Sequence, residues 1–96
     1  MKVVIDGKEY AIAYSFRMYF MYERITGEAF KGGLLSSIAV LFYSALLANN
    51  EDFPLTFEQF VDALDENTSL LDEFNHFVAF HFERLNPTKK KEKEAP

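Results

Sequence analysis

Residues 34–48 read LLSSIAVLFYSALLA, and this run decides the fold. Its apolar residues recur at helical spacing: Leu34, Leu35, Ile38, Leu41, Phe42, Ala45 and Leu46 form one stripe. Val40, Tyr43 and Leu47 occupy the reverse side. A helix apolar on two sides is covered on two sides, so this one is central to a bundle or shared with another subunit. As a helix the run is about 22 Å long, short of a ~30 Å hydrocarbon core, and it carries Ser36, Ser37 and Ser44. It reads as a core helix, not a membrane span.

The elements around it follow from local signals. Upstream, residues 2–14 read as a β-hairpin. Val3, Val4 and Ile5 are β-branched, Asp6-Gly7 is a two-residue turn, and Tyr10, Ile12 and Tyr14 alternate with Glu9, Ala11 and Ala13. Ser15 caps a helix over 16–26 that stops at Gly27. Met18, Met21, Tyr22 and Ile25 share one face of it, and Phe16 and Phe20 lie on the opposite face, turned either to the hairpin or to a partner. Downstream, Thr56-Phe57-Glu58-Gln59 is a capping box opening a helix over 57–65, with Phe57, Phe60, Val61 and Leu64 as its stripe. A last helix over 69–85 turns Leu70, Leu71, Phe74, Phe77, Val78, His81 and Leu85 inward, with Phe80 and Phe82 on opposite margins. Asn86-Pro87 ends it, and the charged segment 87–96 reads as disordered. The expectation is an α+β, mainly α chain: one domain over 1–86, an N-terminal hairpin followed by about four helices.

Composition bounds the function. At 96 residues and 49% hydrophobic, the chain holds one core and buries roughly 60–65% of its unfolded surface. It has no Cys, which excludes disulfides, a Cys-based zinc site and a thiol nucleophile. Net charge is −5 and uneven: residues 1–48 carry +1, residues 49–85 carry −8, and residues 86–96 carry +2. The acidic second half argues against a nucleic-acid groove and suits a basic protein partner or the near-neutral half of another copy. No signal peptide is visible, so a soluble intracellular protein is expected.

Candidate chemistry is thin. His76 and His81 are five apart and do not converge as an i,i+4 metal pair would; His81 reads as a hydrogen-bonded core histidine, and His76 can pair with Glu73. Asp62, Asp65 and Glu66 form a solvated stripe rather than a tuned acid–base pair. Asn49-Asn50-Glu51-Asp52 lacks the pattern of a calcium loop, and Gly32-Gly33 lacks the Lys-Ser/Thr of a phosphate loop. No enzyme, metal or cofactor is expected. Because each lies off its helix's main stripe, Phe16, Phe20, Tyr43, Leu47, Phe80 and Phe82 are the candidate partner or oligomer surface.

The order of these features is the stronger signal. Ile5-Asp6-Gly7-Lys8-Glu9-Tyr10 runs into Tyr14-Ser15-Phe16-Arg17. Glu23-Arg24-Ile25-Thr26-Gly27 ends the first helix, and Ala45-Leu46-Leu47-Ala48 ends the second. Leu55-Thr56-Phe57-Glu58-Gln59 then leads to Asp62-Ala63-Leu64-Asp65. Over residues 2–66 this resembles the tail assembly chaperones of long-tailed (siphovirus-type) bacteriophages and prophages. The resemblance implies a self-associating, non-enzymatic protein of the bacterial host's cytoplasm. Such a protein coats the tape measure protein and keeps it soluble, the extension of a longer form helps recruit tail tube protein, and neither nucleic acid nor membrane is expected as a partner. It also implies that Lys89-Lys90-Lys91 could be encoded by a slippery run from which a longer, frameshifted form arises. The competing readings are a small acidic adaptor or regulatory domain bound to one protein at fixed stoichiometry, and a helical carrier of an apolar ligand.

Overall fold

The computed structural model describes residues 1–85, with the side chains of 83–85 left aside. The expected charged tail over 87–96 lies outside the described residues, as does the Asn86-Pro87 stop. The chain runs as strands β1 (Lys2–Ile5) and β2 (Lys8–Ala11), then helices α1 (Phe16–Thr26), α2 (Leu35–Asn49), α3 (Phe57–Glu66) and α4 (Ser69–Leu85). It is therefore α+β and mainly α, a two-stranded antiparallel hairpin followed by four helices.

The Asp6-Gly7 turn works as its chemistry requires. Both residues have positive φ (52° and 77°), the backbone shape that matches the right-handed twist of a hairpin. Val3 pairs with Tyr10 and Ile5 with Lys8, so Val3, Ile5 and Tyr10 point to the core and Val4 to solvent. Regular pairing stops at Ala11, short of the expected 14, but the Ile12 N–H still donates to the Met1 carbonyl at 2.8 Å and Ile12 is buried.

Each helix has a definable start or stop. Ser15 Oγ accepts from the Met18 N–H at 3.3 Å, and Gly27, at φ 75°, closes α1 by donating its N–H to Glu23 O. The Thr56–Gln59 capping box forms in both directions, at 3.2 and 2.9 Å. α2 begins one residue later than expected. Leu34 is extended and stands outside the helix, so the helical stripe does not apply to it, and Leu35 occupies the first position of the first turn. Both are exposed, which corrects their assignment to the core stripe. Ile25, in the last turn of α1, is likewise exposed.

α2 is the hub. α1, α3, α4 and β2 all pack on it, and Leu41, Phe42, Ala45 and Leu46 are fully buried. Phe42 stacks on Phe74 of α4 (centroids 4.5 Å apart, planes at 6°) and meets Phe60 of α3 edge-on at 5.1 Å. Buried Ser44 is satisfied within the helix by donating to Val40 O at 2.7 Å.

The link between hairpin and helices is a side chain that sequence reading left in a loop. Asn50 Oδ1 accepts from the Ala11 N–H at 3.3 Å, and its Nδ2 lies 2.8 Å from Ala11 O and 3.1 Å from Leu46 O. The amide thus acts as one further peptide group on the edge of β2, while Asn50 itself caps α2. Asn50→Ala should cost about 1–2 kcal/mol of unfolding free energy in urea titration. Asn50→Asp should cost at least as much, since it sets a carboxylate against the Ala11 carbonyl. A neutral result for both would show that the clasp contributes nothing.

Candidate binding groove

α1 and α4 both pack on α2, but they make far less contact with one another. What lies between them is a groove of about 970 Å³. One wall is the α1 stripe Phe16, Phe20 and Glu23. The other is the α4 stripe Asn75, Ala79 and Phe82. The floor includes Tyr19, Phe30 and Ile38, and the α1–α2 connection closes one end with Lys31, Gly32 and Gly33.

The floor is held by rings. Phe30 meets Tyr22 edge-on at 5.3 Å and Tyr19 at 5.9 Å, which anchors the α1–α2 connection. The Tyr14 and Tyr19 hydroxyls are 2.8 Å apart and hydrogen-bonded. Tyr14 also stacks on His81 of α4 (5.5 Å, planes at 16°). His81 is half-buried, and its ring lies among Tyr14, Phe77 and Phe80. It is therefore a half-buried ring in an aromatic cluster on the inward side of α4, and among the described residues it makes no hydrogen bond, which corrects the expectation of a hydrogen-bonded core histidine. His76, expected beside Glu73, instead faces Asp72 at 3.7 Å across one helical turn, with both side chains exposed.

The six sequence candidates separate. Phe16 (77% exposed) and Phe20 (62%) stack on one another at 6.2 Å and form the groove's outer lip. The hairpin does not cover them, which corrects the reading that turned this α1 face to the hairpin. Phe82, 41% exposed, lines the opposite wall. Phe80 is exposed on the other margin of α4, beside His81, and is not part of the groove lining. Tyr43 and Leu47 are half-buried on another side of α2. Tyr43 is engaged internally: its hydroxyl donates to Leu55 O at 2.8 Å, and its ring meets Phe53, Phe57 and Phe60. Sequence reading missed Tyr14, Tyr19 and Phe30 as site residues. The first belongs to the alternating run of the hairpin, Tyr19 falls between the two stripes of α1, and Phe30 lies in the α1–α2 connection.

Chemically the groove is an apolar trough with a carboxylate and an ammonium at its rim, suited to binding an apolar stripe. Among the described residues no group of three or more His, Cys, Asp or Glu could hold a metal ion. Among them, too, no helix is long and apolar enough to cross a membrane. Comparison of the chain with protein-family models, with curated proteins and with solved structures gives no match.

Burial, aided by the hydrogen bond to Tyr14, pushes the Tyr19 hydroxyl above its ordinary value of 10.0. The raised value means its stabilising effect is complete below that ordinary value and is lost as pH rises beyond it. Between about pH 8 and about pH 11, Tyr19→Phe should lose less stability to alkali than the wild-type chain in urea unfolding. Equal alkaline losses would show that Tyr19 is not the responsible group.

Proposed function

We propose that the chain is a non-enzymatic tail assembly chaperone of a long-tailed bacteriophage or prophage. In this role it binds the tape measure protein in the bacterial host's cytoplasm and keeps it soluble while tail tube protein is recruited. The observation that carries the reading is the open aromatic groove between α1 and α4, walled by Phe16, Phe20 and Phe82. A chaperone of a long helical client needs an apolar trough that its own fold leaves uncovered, with polar rims that keep the unliganded chain soluble. The order of sequence features over residues 2–66 supports the same role. The exposed acidic residues of α3 and α4, among them Glu58, Asp62, Asp65 and Asp72, would add attraction for basic client segments.

An open groove also suits the adaptor reading, in which one partner is held at fixed stoichiometry. Co-expression with a tape measure protein separates the two. The wild-type chain should raise the client's soluble yield several-fold and co-purify in many copies per client. Phe20→Asp should abolish the effect while leaving helicity unchanged. Unaltered client solubility with the wild-type chain would refute the chaperone role, and one copy per partner would support the adaptor.

A further inference from the structure

We propose that the α1–α2 connection is a strap latched by Phe30, and that its opening adds a deeper seat to the groove floor. The inference concerns the chain alone and stands or falls without a client. Near its start the connection is tied by the Glu28 N–H, which donates to Thr26 Oγ1 at 3.1 Å. Near its end the Leu34 carbonyl accepts from the Ile38 N–H at 3.1 Å. Between these ties, residues 29–33 make no backbone hydrogen bond among the described residues. Ala29, Lys31 and Gly33 are exposed. What holds the segment is the Phe30 ring, half-buried against Tyr22 at 5.3 Å and Tyr19 at 5.9 Å.

A segment held by one side chain opens locally, without disturbing the elements it joins. Its second end is built to turn. Gly32 and Gly33 follow one another at φ 75° and 83° just before α2. Glycine adopts that left-handed shape at no steric cost and reverts to negative φ as readily. The helices do not rely on the strap: α1 and α2 pack directly on one another, and α1 keeps its own caps at Ser15 and Gly27. With Phe30 seated, the strap completes the groove floor beside Tyr19 and Ile38. With Phe30 out, the space beside Tyr19 and Tyr22 joins the groove. A phenyl ring fills that seat already, so an aromatic side chain of a partner fits it as well. Phe30 is thus an internal stand-in for a partner's anchor. A partner that uses the seat binds only the open state, and its apparent affinity scales with the open fraction.

Fluorine NMR relaxation dispersion on the full chain, carrying 4-fluorophenylalanine at Phe30 alone, tests this. A para fluorine lies on the axis of ring flips, so flipping does not move it. The expected result is two-site exchange at Phe30 on the microsecond-to-millisecond scale, and none in a second sample labelled at Phe42. Gly33→Ala should raise the open fraction about fivefold, because alanine is strained at positive φ in the closed form and relaxes in the open one. A Cβ at Gly33 meets nothing within 4 Å, so this variant acts through the backbone alone. Gly33→Asn, which tolerates the left-handed shape better, should raise the open fraction less. Phe30→Ala should bind the dye anilinonaphthalene sulfonate several-fold more tightly than the wild-type chain while still melting cooperatively. Absence of exchange at Phe30 in both the wild type and Gly33→Ala would overturn the proposal. So would equal exchange at Phe42, which would mean that the whole core opens. Dye binding indifferent to Phe30→Ala would show that no seat is vacated, and loss of cooperative melting would make Phe30 a core residue and not a latch. None of these results bears on the chaperone role, which the client's solubility decides.

Discussion

The docking of α3 and α4 on the central helix depends on Phe42. Its ring is fully buried in the middle of α2, with the face of Phe74 against it on one side and the edge of Phe60 on another. These two contacts bring α4 and α3 to the same helix. Truncating such a side chain removes transfer energy and leaves a cavity, a loss of about 3–5 kcal/mol. For a domain of this size that is a large part of the whole stability. The hairpin joins the same hub by different means, through the Asn50 amide on the edge of β2 and through Val3, Ile5, Tyr10 and Ile12 in the shared core.

The four elements packed on α2 do not cover the whole of its perimeter. α1 and α4 both take their places on α2, yet among the described residues the space between them is floored by Ile38, Phe30 and Tyr19 and not closed by a further element. Phe16, Phe20 and Phe82 border that gap and remain open to solvent. Exposed aromatics on a small acidic chain raise the risk of non-specific association, which the net charge of −5 opposes. Exposed aromatic rings grouped at a trough are what a recognition surface requires. The proposed chaperone role is one use of that surface.

Much of the fold was legible in the sequence because its punctuation is local. Asp6-Gly7, Ser15, Gly27 and Thr56–Gln59 each act within a few residues, and each does in the structure what its chemistry indicated. The errors arose where periodicity was carried past the end of an element. Leu34 precedes α2 and Leu35 opens it, so neither is held against the bundle. Ile25 lies in the closing turn of α1. The groove was legible in part. Off-stripe position picked out Phe16, Phe20 and Phe82, but the same rule also picked Tyr43. Its reverse side is covered by Phe53 and Phe57, from the α2–α3 connection and the start of α3. Which side of a two-sided helix stays open depends on how distant segments pack, and no local spacing encodes that. Asn50 escaped for the same reason: its partner, Ala11, is 39 residues away.

The central claim is that one set of phenylalanines builds the core while another is left open to bind. Fluorine NMR on chain labelled with 4-fluorophenylalanine, at high dilution and with a soluble paramagnetic probe, tests it most directly. The 11 Phe resonances should divide, with Phe42, Phe60 and Phe74 shielded and Phe16 and Phe20 strongly broadened by the probe. Shielding of Phe16 and Phe20 equal to that of Phe42 in the dilute monomer would mean that the groove is closed by the chain's own fold, and would contradict the account.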